Sequence, residues 1–298
     1  MESTFMRTVR ARTDAALASG DLQPIQADQV VLRDQGLSFI VRWVAALAAK
    51  DAAGRPAAGV ATTLPGGPRN PDFNPFLNPD PALLVGPLGD HHVAILNKFP
   101  VCLHHLVLAR QEFSEQCSPL EGIDFQALAT VLSSEGGLGF YNGGAAAGAS
   151  QRHKHVQWIP ESDQNASLRE LGAGLPGGLP VGGAARHPSL SLAHCFVRVE
   201  AGQGVDARAS AHGMLQAFRQ ACAALDLRTD ADGLLPPCNM LVGDGWMLVL
   251  PRSQEHFQGV SLNALSFGGT IYVRDPAQID AIRAAGPLKA LAGVGMPA

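Results

Sequence analysis

The stretch that leaves the chain least choice is YNGGAAAGASQRHKHVQWI, residues 141–159. Its first part sets Gly143, Gly144 and Gly148 among alanines. Such a segment reads as a loop whose backbone can come close to a neighbour. Its second part alternates, and in a strand the side chains at a period of two share one face. His153, His155 and Gln157 then project together beside a loop with almost no side chains to obstruct a ligand.

The rest of the chain reads as the scaffold for that stretch. Residues 3–18 have the spacing of an amphipathic helix stopped by Gly20. Residues 38–44 read equally as a buried strand or as the start of a helix running to Lys50. Residues 51–82 are dense in Pro, Gly and Asn, which breaks both helix and central strand and predicts a long loop. Residues 82–109 alternate as an antiparallel meander, and 122–135 have helical spacing up to Gly136-Gly137. The glycine-rich tract 161–190 reads as a linker between an N-terminal half, 1–160, and a C-terminal half, 191–298, that completes the same fold. Within the latter, 191–200 predicts a strand, 206–226 a strongly amphipathic helix and 238–250 a hairpin turning at Gly243-Asp244-Gly245. A helix ending at Ala285 closes it. No internal repeat is visible. Runs of strands broken by single long helices predict an α+β fold with a mainly antiparallel sheet flanked by helices.

Of 298 residues, 46% are hydrophobic and 16% charged, as in an ordinary water-soluble protein. A net charge of −4 gives no footprint for a nucleic-acid polymer, although a small phosphorylated ligand needs only a local positive pocket. The five cysteines are scattered without a Cys-x-x-Cys pair, which fits reduced thiols in the cytoplasm rather than a disulfide framework. The first residues carry charges and no apolar h-region, so no secretory signal is expected. No apolar run is long enough to predict membrane insertion.

Two histidines on one strand face are compatible with three things: an exposed edge strand, a chelated metal, or a phosphate. No Asp, Glu or Cys lies nearby in sequence to complete a metal site, and Gln is a poor ligand. The glycine-rich lead-in favours phosphate, because Gly143, Gly144 and Gly148 allow close approach and successive N–H groups can form an anion nest. Asn142, Ser150 and Gln157 add neutral donors around an anion. An imidazole that attacks phosphorus must be neutral, with its other N–H held by an acceptor.

His153-Lys154-His155-Val156-Gln157 resembles the His-x-His-x-Gln motif of the transferase branch of the histidine-triad superfamily. The longer string Gly139-Phe140-Tyr141-Asn142, then Ser150-Gln151, then His153 to Gln157 is similar to the ATP adenylyltransferases, or diadenosine tetraphosphate phosphorylases. Three further segments extend the likeness, in order, from about residue 36 to residue 273. They are Phe39-Ile40-Val41-Arg42 with Lys50, the stretch from Ile95 to Val101, and Asn239 followed by Trp246 to Arg252 and Ser261 to Ala264.

The resemblance implies a histidine-triad-like fold and a reversible reaction, diadenosine tetraphosphate plus phosphate giving ATP plus ADP. It implies that His155 is transiently adenylylated and that His153 orients it, partly through its carbonyl. Gln157 stands where hydrolases of the superfamily have a third histidine. It further implies nucleotide or phosphate contacts from Lys50, Lys98, Asn142, Gly143, Gly148, Ser150, Gln151 and Asn239. The polyphosphate is expected to bring a divalent cation, Mg2+, with no metal held by the protein itself. Two departures stand out. Ala147 replaces a small polar residue, which predicts one lost phosphate contact, and Arg152, where proline is usual, is expected to face solvent. Rival readings are a sugar-1-phosphate nucleotidylyltransferase and a nucleotide-binding regulator without turnover.

Overall fold

The structure is a computed structural model and describes residues 3–22, 27–44 and 74–298. Lys50 and most of the proline-rich tract lie outside the described residues. Helix α1 (Thr4–Ser19) starts where the Ser3 hydroxyl accepts from the Met6 N–H at 3.0 Å and stops at Gly20, which is left-handed. Strands β1 (Ala27–Asp34) and β2 (Leu37–Val44) form an antiparallel hairpin, which settles residues 38–44 as strand. Then come β3 (Leu84–Leu88), β4 (His92–Leu96), β5 (Leu106–Arg110), helix α2 (Gly122–Glu135), β6 (Leu138–Gly143) and β7 (His155–Ile159). The C-terminal half adds α3 (Arg169–Ala173), β8 (Ala184–Ala185), β9 (Cys195–Arg198), α4 (Ala207–Ala224), β10 (Cys238–Gly243) and β11 (Trp246–Pro251). The chain closes with β12 (His256–Phe257), β13 (Val260–Ser261), α5 (Ala264–Phe267), β14 (Thr270–Val273), α6 (Ala277–Ala285) and α7 (Pro287–Ala292).

One antiparallel sheet runs through both halves in the order β3-β4-β5-β7-β6-β10-β11-β9-β8. Its alternating side chains feed two cores. Tyr141, Val156, Trp158, Met240 and Val249 pack with α1, α2 and α4 on one face. Phe140, Ile159, Leu241 and Leu248 pack on the other face with the small sheet β1-β2-β14 and the short C-terminal helices. The tract read as a linker instead buries Leu168, Leu171, Leu175 and Leu190 in this second core. Its glycines hide the pattern because each leucine anchors an irregular turn rather than a periodic element.

A repeat absent from the sequence appears in the topology. The succession β5-α2-β6-β7 places its strands in the order β5-β7-β6, and β9-α4-β10-β11 places its own in the order β9-β11-β10. The two units meet at the antiparallel pair β6 and β10, where Asn142 lies opposite Asn239. They differ in one connection. Asp244 and Gly245, both at positive φ, close β10 and β11 in a two-residue turn, whereas residues 144–154 separate β6 from β7. The glycine-rich part of the 141–159 stretch, with His153, lies in that longer connection.

Lys154 alternates with the two histidines and therefore points to the helical face, where it is fully buried. Its ammonium donates to the carbonyls of Ser118 and Pro119, the latter at 2.7 Å. Asp124, in the first turn of α2, accepts from Arg110 Nε at 2.8 Å and Nη2 at 2.7 Å, from His92 Nε2 at 3.2 Å and from the Glu121 N–H at 2.8 Å. Burial alone would raise the Asp124 carboxyl, but the bonds from His92 and Arg110 hold it well below the usual carboxylate range. Desolvation pulls Lys154 down to about 8. Removing one member of such a group leaves a buried charge without its partner, which costs about 3–5 kcal/mol. Asp124→Ala is expected to lower unfolding free energy by roughly that amount in urea titration, whereas substitution of exposed Asp163 should leave the midpoint unchanged.

Candidate active site

The ladder between β6 and β7 runs from Leu138↔Ile159 to Phe140↔Gln157. The same register would next set Asn142 opposite His155, but there the strands part and the side-chain amide of Gln116 enters between them. Gln116 Oε1 accepts from the His155 N–H at 2.8 Å, and its Nε2 donates to the carbonyls of His155 (3.1 Å) and Asn142 (2.9 Å). Gln116 is itself buried, and its backbone N–H donates to the Arg152 carbonyl at 2.6 Å. A single side chain thus holds the strand of the histidines and the loop before it apart and in register.

His155 is 5% exposed. Its Nδ1 lies 2.8 Å from the carbonyl of His153. A carbonyl only accepts, so Nδ1 carries the proton and Nε2 keeps a bare lone pair. Desolvation drives the ring pKa down to about 4, against the opposing hydrogen bond it donates to the His153 carbonyl. His155 is therefore neutral at ordinary pH, and its free nitrogen is the one on the far side of the ring. The Phe76 ring lies over it at 4.9 Å.

His153 precedes β7 and makes an isolated bridge with Glu115. Its Nε2 donates to the Arg110 carbonyl at 2.7 Å, so its Nδ1 is the acceptor. Asn74 supplies the donor at 2.9 Å, because Asn74 Oδ1 already takes the N–H groups of Phe76 and Leu77. Phe76 and Phe113 meet the His153 ring edge-on, at 5.9 and 5.6 Å. Burial lowers its pKa as well. His153 thus reaches His155 through its carbonyl, while its ring ties together Asn74 and Arg110. Gln157 is buried, with Oε1 3.0 Å from His105 Nε2.

The loop differs from expectation. The N–H groups of Ala147 and Ala149 donate to the Gly144 carbonyl and that of Gly148 to Ala145, each at 3.0 Å, so they form a short helical turn rather than an anion nest. Gly144 and Gly148 are at φ 93° and 90°. A Cβ at Gly148 would lie 2.8 Å from that of Asn263, and one at Gly143 would lie 3.0 Å from the Cys238 carbonyl. At Gly143 and Gly148 close packing within the protein thus leaves no room for a side chain. Ala147 is fully buried, so a hydroxyl there would be sealed inside and its absence removes no contact from the cradle.

Asn239 is also fully buried. Its Nδ2 donates to Asn142 Oδ1 at 2.8 Å and to the Ala147 carbonyl at 2.9 Å, and its Oδ1 accepts from Arg252. It supports the loop from behind. Asn142 Oδ1 further accepts from the Ala264 N–H at 2.9 Å, which leaves the Asn142 Nδ2 uncommitted among the described residues. Ser150 is exposed, Gln151 is half-buried, and neither bonds another described residue. Arg152 is exposed and paired with Glu115. Lys98 is exposed on the turn after β4. The structure joins the backbones of Asn142 and His155 through Gln116 and places Gln157 on the same strand as His155, while Asn239 bonds the Asn142 side chain.

Gln116, Asn74 and Lys154 carry no motif and were not singled out from sequence. Only Lys154 left a signal. A lysine between two residues of one strand face must point to the other, which here is core.

A family model described as the Ap4A phosphorylase N-terminal domain matches residues 1–169, and one described as the ATP adenylyltransferase C-terminal domain matches residues 188–297. The chain is 26% identical over 304 residues to diadenosine 5',5'''-P1,P4-tetraphosphate phosphorylase 2 of Saccharomyces cerevisiae, covering 94% of this chain and 90% of that protein. The crystal structure of yeast Ap4A phosphorylase Apa2 superposes with a TM-score of 0.75 at 25% identity, over 100% of this chain and 96% of that one. The same enzyme in complex with Ap4A gives 0.76 at 23% identity, over 100% and 99%.

His155 and His105 each have a pKa near 4 in the folded state, against 6.5 for a free side chain. Between those values the unfolded chain binds protons that the folded chain does not, so folding stability falls as pH drops from about 6.5 to about 4. Denaturant melts across that window should show the loss, and a His105→Leu variant should show a shallower slope.

Proposed function

The chain belongs to the Ap4A phosphorylase family, and on that premise we propose that it cleaves diadenosine tetraphosphate with phosphate, giving ATP and ADP, through an adenylyl group carried on His155. The observation that carries the reading is the bond from His155 Nδ1 to the His153 carbonyl. It aims a neutral Nε2 lone pair and fixes what happens next. As Nε2 bonds to the α-phosphorus, the bridging oxygen leaves with ATP and the ring becomes positively charged. The His153 carbonyl, already on the Nδ1 proton, stabilises that charge without any proton moving. Phosphate then attacks the same phosphorus, the N–P bond breaks, and ADP leaves with His155 restored.

Asn142 and Gln157 are neutral donors for the phosphate oxygens, and Ser150 and Gln151 stand on the rim for the rest of the chain of phosphates. Lys98, from the turn after β4, and Lys50 are the cations for the polyphosphate, which enters as its magnesium complex. Arg110, Asp124 and Asn74 act at one remove, by holding His153. A neutral amide at 157 binds an oxygen but is a poor proton acceptor for water, which favours phosphate as the acceptor. The described cysteines are all free, which supports a reducing, cytoplasmic setting. Among the described residues no helix is long and apolar enough to cross a membrane.

Protein incubated with diadenosine tetraphosphate and phosphate should release ATP and ADP in equal amounts. AMP with ATP would instead mark a hydrolase, and tight binding without turnover a regulator. Incubation without phosphate should leave an adenylyl group on His155 by peptide mass spectrometry. His155→Ala should remove that label and lower turnover by about 10³-fold or more. Gln157→His should raise AMP formation relative to ADP, and an unchanged ratio would remove the proton argument.

A further inference from the structure

His105 lies immediately before β5, and β5 pairs with β7 so that Val107 is opposite Gln157. By the same register His105 shares a sheet face with Gln157. Its ring is fully enclosed and tilts against Phe140 at 5.7 Å, which fixes its plane. Three groups reach its two nitrogens. The Val101 N–H points at Nδ1 at 3.4 Å, Asn97 Nδ2 approaches Nε2 at 3.4 Å, and Gln157 Oε1 lies 3.0 Å from Nε2.

A neutral imidazole has one N–H and one acceptor. A backbone N–H only donates, so Nδ1 is the acceptor and Nε2 carries the proton. Of the two groups at Nε2, only the Gln157 oxygen can receive it, and it is also the nearer. The opposite tautomer would set an N–H against the Val101 N–H and turn the Gln157 amide around. Burial holds the ring neutral, with a pKa of about 4 lowered by desolvation against the raising bond to Gln157.

We infer that His105 is a positioning residue for the transfer reaction: its Nε2–H fixes Gln157 Oε1 and thereby turns the Gln157 NH2 group, and not its oxygen, toward the phosphate beside His155. Gln157 alone has no preference, since its two ends differ little in shape. An oxygen facing the α-phosphate would repel it, whereas the NH2 group donates to it. No other atom of the amide is then available to accept a proton from water. The sense of the amide links a core histidine to the choice between phosphate and water. The inference rests on the adenylyl-His155 reading.

The test is a double-mutant cycle read by the single-turnover rate of adenylyl transfer to His155. His105→Leu should slow it by about 10- to 100-fold, the worth of one hydrogen bond to a charged group, with KM changed little and the thermal midpoint tracked alongside. In the Gln157→Ala background the same change should alter the rate by less than about 2-fold, since contacts acting through one another are not additive. Gln157→Glu keeps an acceptor for His105 but has no donor, and should be as slow as Gln157→Ala. Nitrogen NMR of the wild-type protein should show His105 protonated at Nε2.

A full His105→Leu loss in the Gln157→Ala background overturns the inference, as does a fast Gln157→Glu or an Nδ1-protonated His105. If wild-type protein forms no adenylyl-His155, the proposed reaction fails instead. The NMR tautomer still decides the His105 contact in that case.

Discussion

The candidate site depends on β6 and β7 ceasing to pair before Asn142 and His155 would meet. Two antiparallel strands in register would continue their ladder and leave no room for a ligand. Here the side-chain amide of Gln116 takes the place of the next pair of peptide groups, satisfying the His155 N–H and the carbonyls of His155 and Asn142. The backbone groups of a buried strand end must be bonded to something, and Gln116 allows that without closing the gap. The backbone of His155 is therefore held as firmly as a residue in the sheet, although the ladder has ended before it.

The two β-α-β-β units show what that gap changes. The second unit closes β10 and β11 with Asp244-Gly245, and every residue from Trp246 to Pro251 is buried. That hairpin is all scaffold. It places Asn239 behind the loop of the first unit, where it binds the Asn142 side chain and the Ala147 carbonyl. Arg252, at the end of the same hairpin, holds Asn239 from the other side and bonds the carbonyls of Leu262 and Val294. One unit thus carries the histidines and the other fixes the loop before them, across a shared strand pair.

Much of this was legible in the chain. Helix α1, the hairpin at 238–251 and the polar face of His153, His155 and Gln157 follow from spacing, because period and turn residues are local properties. The cradle was not. Glycines in a loop next to histidines suggested a backbone open to an anion, yet a glycine also marks places where protein packs on protein, and sequence cannot separate the two uses. Gly143 and Gly148 show the second use, since a Cβ on either would meet protein atoms. Asn239 read as a ligand contact because a buried Asn and a binding Asn read the same; its side-chain amide is committed to Asn142, Ala147 and Arg252. Gln116 left no trace, since it acts across a long sequence separation on residues it does not resemble, and Asn74 read only as part of a turn. The linker at 161–190 was misread for a related reason: scattered leucines that anchor irregular turns have no period.

The strand of the histidines also explains why the site needs so little charge of its own. Alternation sends Lys154, the only cation between the two histidines, to the opposite face, where it lies with Arg110 and Asp124 behind the sheet. Arg110 then contributes to the site only through its carbonyl, which fixes the His153 tautomer. Had the lysine pointed forward, it would have paired with the phosphate in both the bound substrate and the intermediate, strengthening ground-state binding as much as the transition state and adding nothing to turnover. Neutral donors behave differently. They are aimed by bonds made in the free protein, as His153 aims His155, and they stabilise charge where it develops without holding product tightly. For the reversible transfer proposed above, neutral, preoriented groups next to His155, backed by buried charge, suit both directions alike.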